Sequence, residues 1–261
     1  MAGLRKALSA LTADSDGYLI EAPDGWKQGH TLYGGITAAL CAQVSVLRYP
    51  GLPPLRSAQF AFIGPAAGTL RLSAEKLREG RSATVTSVDC FAGDAIAARA
   101  LFTHGAARES QVEHDLTRMP GVPGPADCEP FRHEEGTSPG FFHNFEMRLA
   151  AGTRPLSQDA SPEFAVWVRH VDDEGIDPAV SLLALADAPP PAAMVSFPEP
   201  APLSTMTWSI DLHHPLTAGE WFLLRSASEQ SASGYSLQAM DAWNEEGVRV
   251  ASGRQMVALF I

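Results

Sequence analysis

Three polar side chains in the second half of the chain stand out as candidates for chemistry: Asp187, Thr205 and Gln255. Asp187 closes the run LLALADAPPPAAM, one carboxylate among alanines and leucines and just ahead of three prolines. Such an acid is costly to bury unless its lone pairs are used. A threonine hydroxyl and a glutamine amide can each donate to it and still leave room for a water. A carboxylate that holds a water is a candidate general base. The plain readings stand beside this one. An Asp before prolines is commonly a turn residue, Thr is an ordinary strand residue, and a Gln in a C-terminal strand is often solvent-facing.

The elements that would bring these residues together occur twice. In the first half, TLYGGITAALCAQVSVLRY (31–49) has apolar positions at helical spacing, and four strand-like runs follow: LRSAQFAFIGP, GTLRLSAEKLREG, RSATVTSVDCFAGD and AIAARALFTH. In the second half, EFAVWVRHV reads as a strand. DPAVSLLALAD reads as a helix with Asp177 as N-cap and Pro178 in its first turn. Then come STMTWSIDLHHP, GEWFLLRSASEQ, GYSLQAMDAWNEEG and VRVASGRQMVALF. A helix and then several strands, twice over, predicts two similar α+β units rather than alternating βαβ. The first is expected over 1–110 and the second over 153–261, with a Pro-, Gly- and acid-rich linker over 111–152. FFHNFEMRL, at the end of that linker, reads as a strand opening the second unit.

The duplication serves as an internal control. Gly93 to Ala97 match Gly247 to Ala251 without a gap, and in the same order Phe60 matches Trp208 and Gly64-Pro65 match His214-Pro215. Gln255 then falls opposite Leu101, Thr205 opposite Ser57 and, by helix position alone, Asp187 near Gln43. A polar residue at a position its twin fills with an apolar one points to function rather than to fold.

Bulk properties exclude several classes. The formal net charge is −11 and lysine occurs only at positions 6, 27 and 76, so no basic stripe exists for nucleic acid or anionic lipid. Cys41, Cys90 and Cys128 show no metal-binding spacing and read as free thiols of a reducing, cytoplasmic compartment. No signal-peptide core and no membrane-spanning run is present. There is no GxSxG elbow, and Ser231-Ala232-Ser233-Gly234 reads as a polar turn or bulge. There is no HExxH, and the adjacent His213 and His214 would point to opposite faces of a strand. Gly34-Gly35 lacks the spacing of a phosphate loop. Neither a metal nor a cofactor is expected.

Four blocks, in this order and spacing, resemble the acyl-CoA thioesterase II family of double-hotdog proteins: GHTLYGGITAAL, EKLREGRSATV, LLALADAPPP and VRVASGRQMVAL. The resemblance covers nearly the whole chain outside the linker. It implies a double hotdog, two helices each wrapped by antiparallel strands that form one continuous sheet. It also implies hydrolysis of acyl-CoA, or a related acyl thioester, by a water held by an Asp, a Thr or Ser, and a Gln, which match Asp187, Thr205 and Gln255. Thr207 is the alternative to Thr205. Asp187 would act as general base, with burial and the negative end of its helix raising its pKa. The Gly34-Gly35 peptide at the start of the first helix would meet the substrate as oxyanion donor, or else serve helix–sheet packing. The family's acid-histidine pair is Thr207-Trp208 here, and the stretch between Asp187 and Thr205 is shorter. A homodimer or higher homo-oligomer is implied, since hotdog edges are normally covered. The competing expectation is a catalytically silent hotdog that binds an acyl chain or acyl-CoA.

Overall fold

The computed structural model describes residues 3–131, 139–213, 216 and 220–261. His214-Pro215, laid over Gly64-Pro65 in the duplication, lie outside the described residues. The first unit contains α1 (Leu4–Ser9), β1 (Thr12–Asp14), β2 (Gly17–Glu21), a small ribbon of β3 (Lys27–Gln28) and β4 (Thr31–Leu32), α2 (Gly34–Arg48), β5 (Leu55–Phe62), β6 (Thr69–Glu79), β7 (Ala83–Ala92) and β8 (Ala95–Gly105). The second contains β9 (Glu129–Pro130), β10 (Phe145–Gly152), β11 (Glu163–His170), α3 (Pro178–Ala186), β12 (Leu203–Leu212), β13 (Phe222–Ala232), β14 (Tyr235–Asn244) and β15 (Arg249–Leu259). Thirteen strands form one antiparallel sheet in the order β1-β2-β6-β7-β8-β5-β12-β15-β14-β13-β11-β10-β9. Read outward from the β5–β12 junction, the two units run in matching order. The fold is the double hotdog.

The helices lie against the inner face of this sheet. α2 is buried at every position from Gly35 to Ala42, which suits its small, apolar composition. α3 starts where Asp177 accepts hydrogen bonds from the amides of Ala179 (2.9 Å) and Val180 (3.3 Å). It is shorter than α2, nine residues against fifteen, because Pro189 to Pro191 lack the donors a further turn requires. At the junction Phe60 stacks on Trp208 with ring centroids 5.2 Å apart. The Ser233-Gly234 pair takes positive φ (53° and 80°) and closes β13 onto β14 as a two-residue hairpin, the polar turn expected there.

The expected linker is structured at its end. β10 pairs with β11 along its length and so belongs to the sheet of the second unit. Ahead of it, Met119 and Val122 pack on an outer-face cluster that includes Trp167, Leu223 and Trp243, and the Trp167 indole donates to the Pro123 carbonyl at 2.8 Å. The segment is a strap over the second unit's outer face. Apolar residues spread thinly among prolines do not show that in composition.

Strand register corrects the superposition read from the sequence. Four β-bulges recur at matching places. They lie between Lys76 and Arg78 and between Ser228 and Gln230, between Cys90 and Phe91 and between Ala242 and Trp243. The junction strands carry another pair, between Leu55 and Ser57 in β5 and between Thr205 and Thr207 in β12. The β7–β8 hairpin closes on two residues, since Ala92 pairs with Ala95. In the second unit Trp243 pairs with Arg249 and the Val248 amide bonds the Asn244 side chain, so that loop is one residue longer. One extra residue turns every later side chain to the other face. Matched by bulges, the twin of Gln255 is Phe102 and not Leu101, and the twin of Thr205 is Leu55 and not Ser57. Phe60 and Trp208 do lie on matching strands, but Phe60 corresponds to Ile210 and Trp208 to Ala58. The corrected twins sharpen the contrast, because Leu55 (7% exposed) and Phe102 (0%) are core residues.

Candidate active site

Asp187 follows the last turn of α3 and faces the first turn of α2. Its Oδ1 accepts from the Gln255 amide nitrogen at 2.5 Å, and the carboxylate also accepts the Gly35 backbone N–H. Gly34 is adjacent: a Cβ there would stand 2.7 Å from Asp187 Oδ2. Gly35 has a different constraint, since its Cβ would stand 2.5 Å from the Tyr33 ring. Tyr33 in turn stacks on Phe141 (4.0 Å, nearly parallel) and donates its hydroxyl to the Ala184 carbonyl at 2.9 Å, using one of the carbonyls left open at the end of α3. The Ala188 N–H, bonded to the Leu185 carbonyl at 2.9 Å, uses another. Thus the N-terminus of one helix meets the C-terminus of the other with a single carboxylate between them.

Burial dominates the electrostatics of this carboxylate. Asp187 keeps part of its surface open to solvent, yet its carboxyl group is packed deep among protein atoms. That burial pushes its pKa up to about 7, while the hydrogen bonds from Gln255 and Gly35 pull it back toward the ordinary carboxylate range. The positive end of α2 acts with those bonds. The Tyr33 hydroxyl is raised well above its usual value, first by burial and then by the Asp187 charge. A carboxyl group at about 7 with an exposed side can take a proton from a bound water at neutral pH.

Four of the five residues singled out from the sequence converge: Asp187, Gln255, Gly34 and Gly35. Thr205 shares the inward face with Gln255, because it pairs with Val257 while Gln255 pairs with Trp208. It is half-buried, and among the described residues no hydrogen bond joins it to Asp187. Thr207 does not serve as its alternative on that face. The bulge at Met206 turns Thr207 outward, opposite Met256, where it lines a groove on the other side of the sheet.

Two neighbours escape a reading of the sequence alone. Gln238 on β14 is 2% exposed and donates to Gln255 Oε1 at 3.2 Å. The Ala192 N–H donates to Gln238 Oε1 at 2.5 Å. The available signal was the inward phase of β14, on which Ser236, Gln238 and Met240 alternate, together with the twin of Gln238, which is Thr86. Among the described residues no group of three or more His, Cys, Asp or Glu is arranged to hold a metal, and no helix is long and apolar enough to cross a membrane.

Solved structures of the same architecture place this chain among the hotdog proteins. A protein of unknown function with hot dog fold from Alicyclobacillus acidocaldarius superposes with TM-score 0.86 at 22% identity, covering 99% of this chain and 98% of that one. The TesB protein of Mycobacterium avium subs paratuberculosis gives 0.82 at 17% identity (99% and 98% covered), and an acyl-CoA thioesterase II from Mycobacterium marinum gives 0.77 at 18% (98% and 97%). Among curated protein sequences none matches. The acyl-CoA thioesterase N-terminal domain matches residues 22–105 and the acyl-CoA thioesterase C-terminal domain matches residues 125–259. The chain belongs to this acyl-CoA thioesterase family, and membership supports acyl-thioester hydrolysis as its general chemistry.

Proposed function

We propose that the chain is a thioesterase of the thioesterase II type, which hydrolyses acyl-CoA or a related acyl thioester with a water activated by Asp187. The observation that carries this reading is the carboxyl group at about 7, held by the Gln255 amide and the Gly35 N–H at the meeting point of two helices. Ionised Asp187 takes a proton from the water as the water oxygen bonds to the thioester carbonyl carbon. The tetrahedral intermediate then collapses, the carbon–sulfur bond breaks, and the proton passes to the departing thiolate. The products are a carboxylic acid and a thiol. General-base assistance supplies about 10²–10⁴-fold in rate.

Gln255 fixes the base, and Thr205, on the same face, holds the water or the substrate carbonyl once ligand is bound. The first turn of α2 meets the substrate carbonyl. The Gly35 N–H is already engaged by Asp187, so it orients the base and meets the substrate across it. Copies of the chain associate into a homodimer or higher homo-oligomer. The three free cysteines support a reducing, cytoplasmic setting. Release of thiol from octanoyl-CoA, followed with a thiol-reactive dye in wild type and Asp187→Asn, tests the reading. Binding of acyl-CoA without thiol release would replace it with the silent binder.

A further inference from the structure

A glutamine side chain can be turned end for end with little change of shape, so which end meets a neighbour must be set by something that cannot turn. Here a backbone donor sets it. The Ala192 N–H can only donate, and it donates to Gln238 Oε1 at 2.5 Å. Gln238 Nε2 is thereby left to donate to Gln255 Oε1, at 3.2 Å. The remaining end of Gln255, its Nε2, meets Asp187 Oδ1 at 2.5 Å. Both amides are buried, at 2% and 4% exposure, so water does not supply alternative partners.

We infer that Gln238 is a positioning residue that fixes the polarity of the Gln255 amide, so that Asp187 always meets an N–H donor and never a carbonyl oxygen. The inference rests on Asp187 being the base and deepens that reading. It also gives the proline run a purpose. Ala192 opens the turn Ala192–Ser196 directly after Pro189 to Pro191, and the run that stops α3 carries this N–H back over β14. The fold alone does not call for the two amides. In the first unit Thr86 stands in place of Gln238 and bonds Ser45 of α2 at 2.8 Å, and Phe102 stands in place of Gln255.

Reversal of Gln255 would set an acceptor against the carboxylate, and Asp187 would retain its proton to higher pH. The titratable group that faces Asp187 is Tyr33, from the start of α2. Among the described residues no charged side chain from β12, β14 or β15 acts on Asp187.

The test is titration of the Asp187 side-chain carboxyl carbon by NMR, in wild type, Gln238→Met, Gln255→Met and the double variant, without substrate. Methionine keeps length and burial and removes both hydrogen-bonding ends. Gln238→Met is expected to raise the Asp187 midpoint by about one unit, Gln255→Met by more, and the double variant by no more than Gln255→Met alone. An unchanged midpoint in Gln238→Met, or a double variant equal to the sum of the singles, overturns the inference. If Gln238→Met does not fold, Gln238→Glu replaces it, since a carboxylate still receives the Ala192 N–H but forces Gln255 to turn. Its shift must then exceed the shift the same change produces in the Gln255→Met background, where only direct charge acts, and equal shifts overturn the inference. Thiol release on the same preparations separates the two readings. The expected midpoint shifts in a protein that releases no thiol would leave the relay standing and remove the thioesterase.

Discussion

Asp187 is held closer to its neutral form than an exposed aspartate, and this has opposite consequences for activity and stability. As a base it works only when ionised, so kcat/KM for thioester hydrolysis should rise as pH increases through about 7 and level off above it. For stability the sign reverses. Between the ordinary carboxylate range and about pH 7 the folded chain keeps a proton that the unfolded chain has lost, so stability falls as pH rises across that window, by on the order of a few kcal/mol. Asp187→Leu should remove that fall and all turnover together, leaving the melting temperature at pH 8 equal to wild type or higher. A turn residue would behave in the opposite way, losing stability and keeping activity. Gln255→Ala removes one donor and should cost less than Asp187→Asn. At this scale Asp187 and Gln255 were legible because two polar residues interrupt apolar patterns. Gln238 was not, because Ser236 and Gln238 share the inward phase of β14 and the contrast with its twin Thr86 emerges only once the register is known.

At the scale of the elements, the first turn of α2 carries two glycines with different duties. Gly34→Ala would press a methyl group toward the Asp187 carboxylate and should cut turnover by about tenfold or more with little change in melting temperature. Gly35→Ala would press on Tyr33, which is clamped between Phe141 and α3, and should destabilise the fold by about 1–3 kcal/mol. Thermal melts and initial rates on both variants distinguish the two. The long strands of both units, the start of α3 at Asp177 and the polar Ser233-Gly234 turn were readable from spacing, since alternation and N-caps are local signals, whereas α1, the short strands β1 to β4 and β9, and the start of α2 at Gly34, which has no side-chain cap, were not. The bulges were not, because an inserted residue looks like any other until its partner strand is aligned. The bulge at Met206 decides that Thr205 faces inward and Thr207 outward, and the longer loop between β14 and β15 decides that Gln255 replaces a phenylalanine.

Across the whole molecule, one sheet serves two units, and the polar set occupies only one of two equivalent positions. The other is filled by Leu55 and Phe102, so among the described residues the polar set occurs once. The sheet edges, β1 and β9, are three and two residues long and β9 holds Pro130, which blunts them for pairing. For the homo-oligomer proposed above, the described residues offer an apolar surface on the outer face at the β5–β12 junction, where a groove of about 440 Å³ is lined by Leu101, Leu237 and Met256 and flanked by Arg99 and Arg254. The strap that covers the outer face farther along packs elsewhere, and Leu237 and Met256 remain 38% and 39% exposed. Leu237→Glu with Met256→Glu should convert a dimer to a monomer in sedimentation at micromolar concentration, and an unchanged dimer would place the interface elsewhere. The central claim concerns the one carboxylate both helices enclose. Single-turnover thiol release from an acyl-CoA at pH 8 tests it most directly. Asp187→Asn should fall by about 10²-fold or more with its melt preserved, and a folded Asp187→Asn protein that releases thiol at the wild-type rate would contradict it.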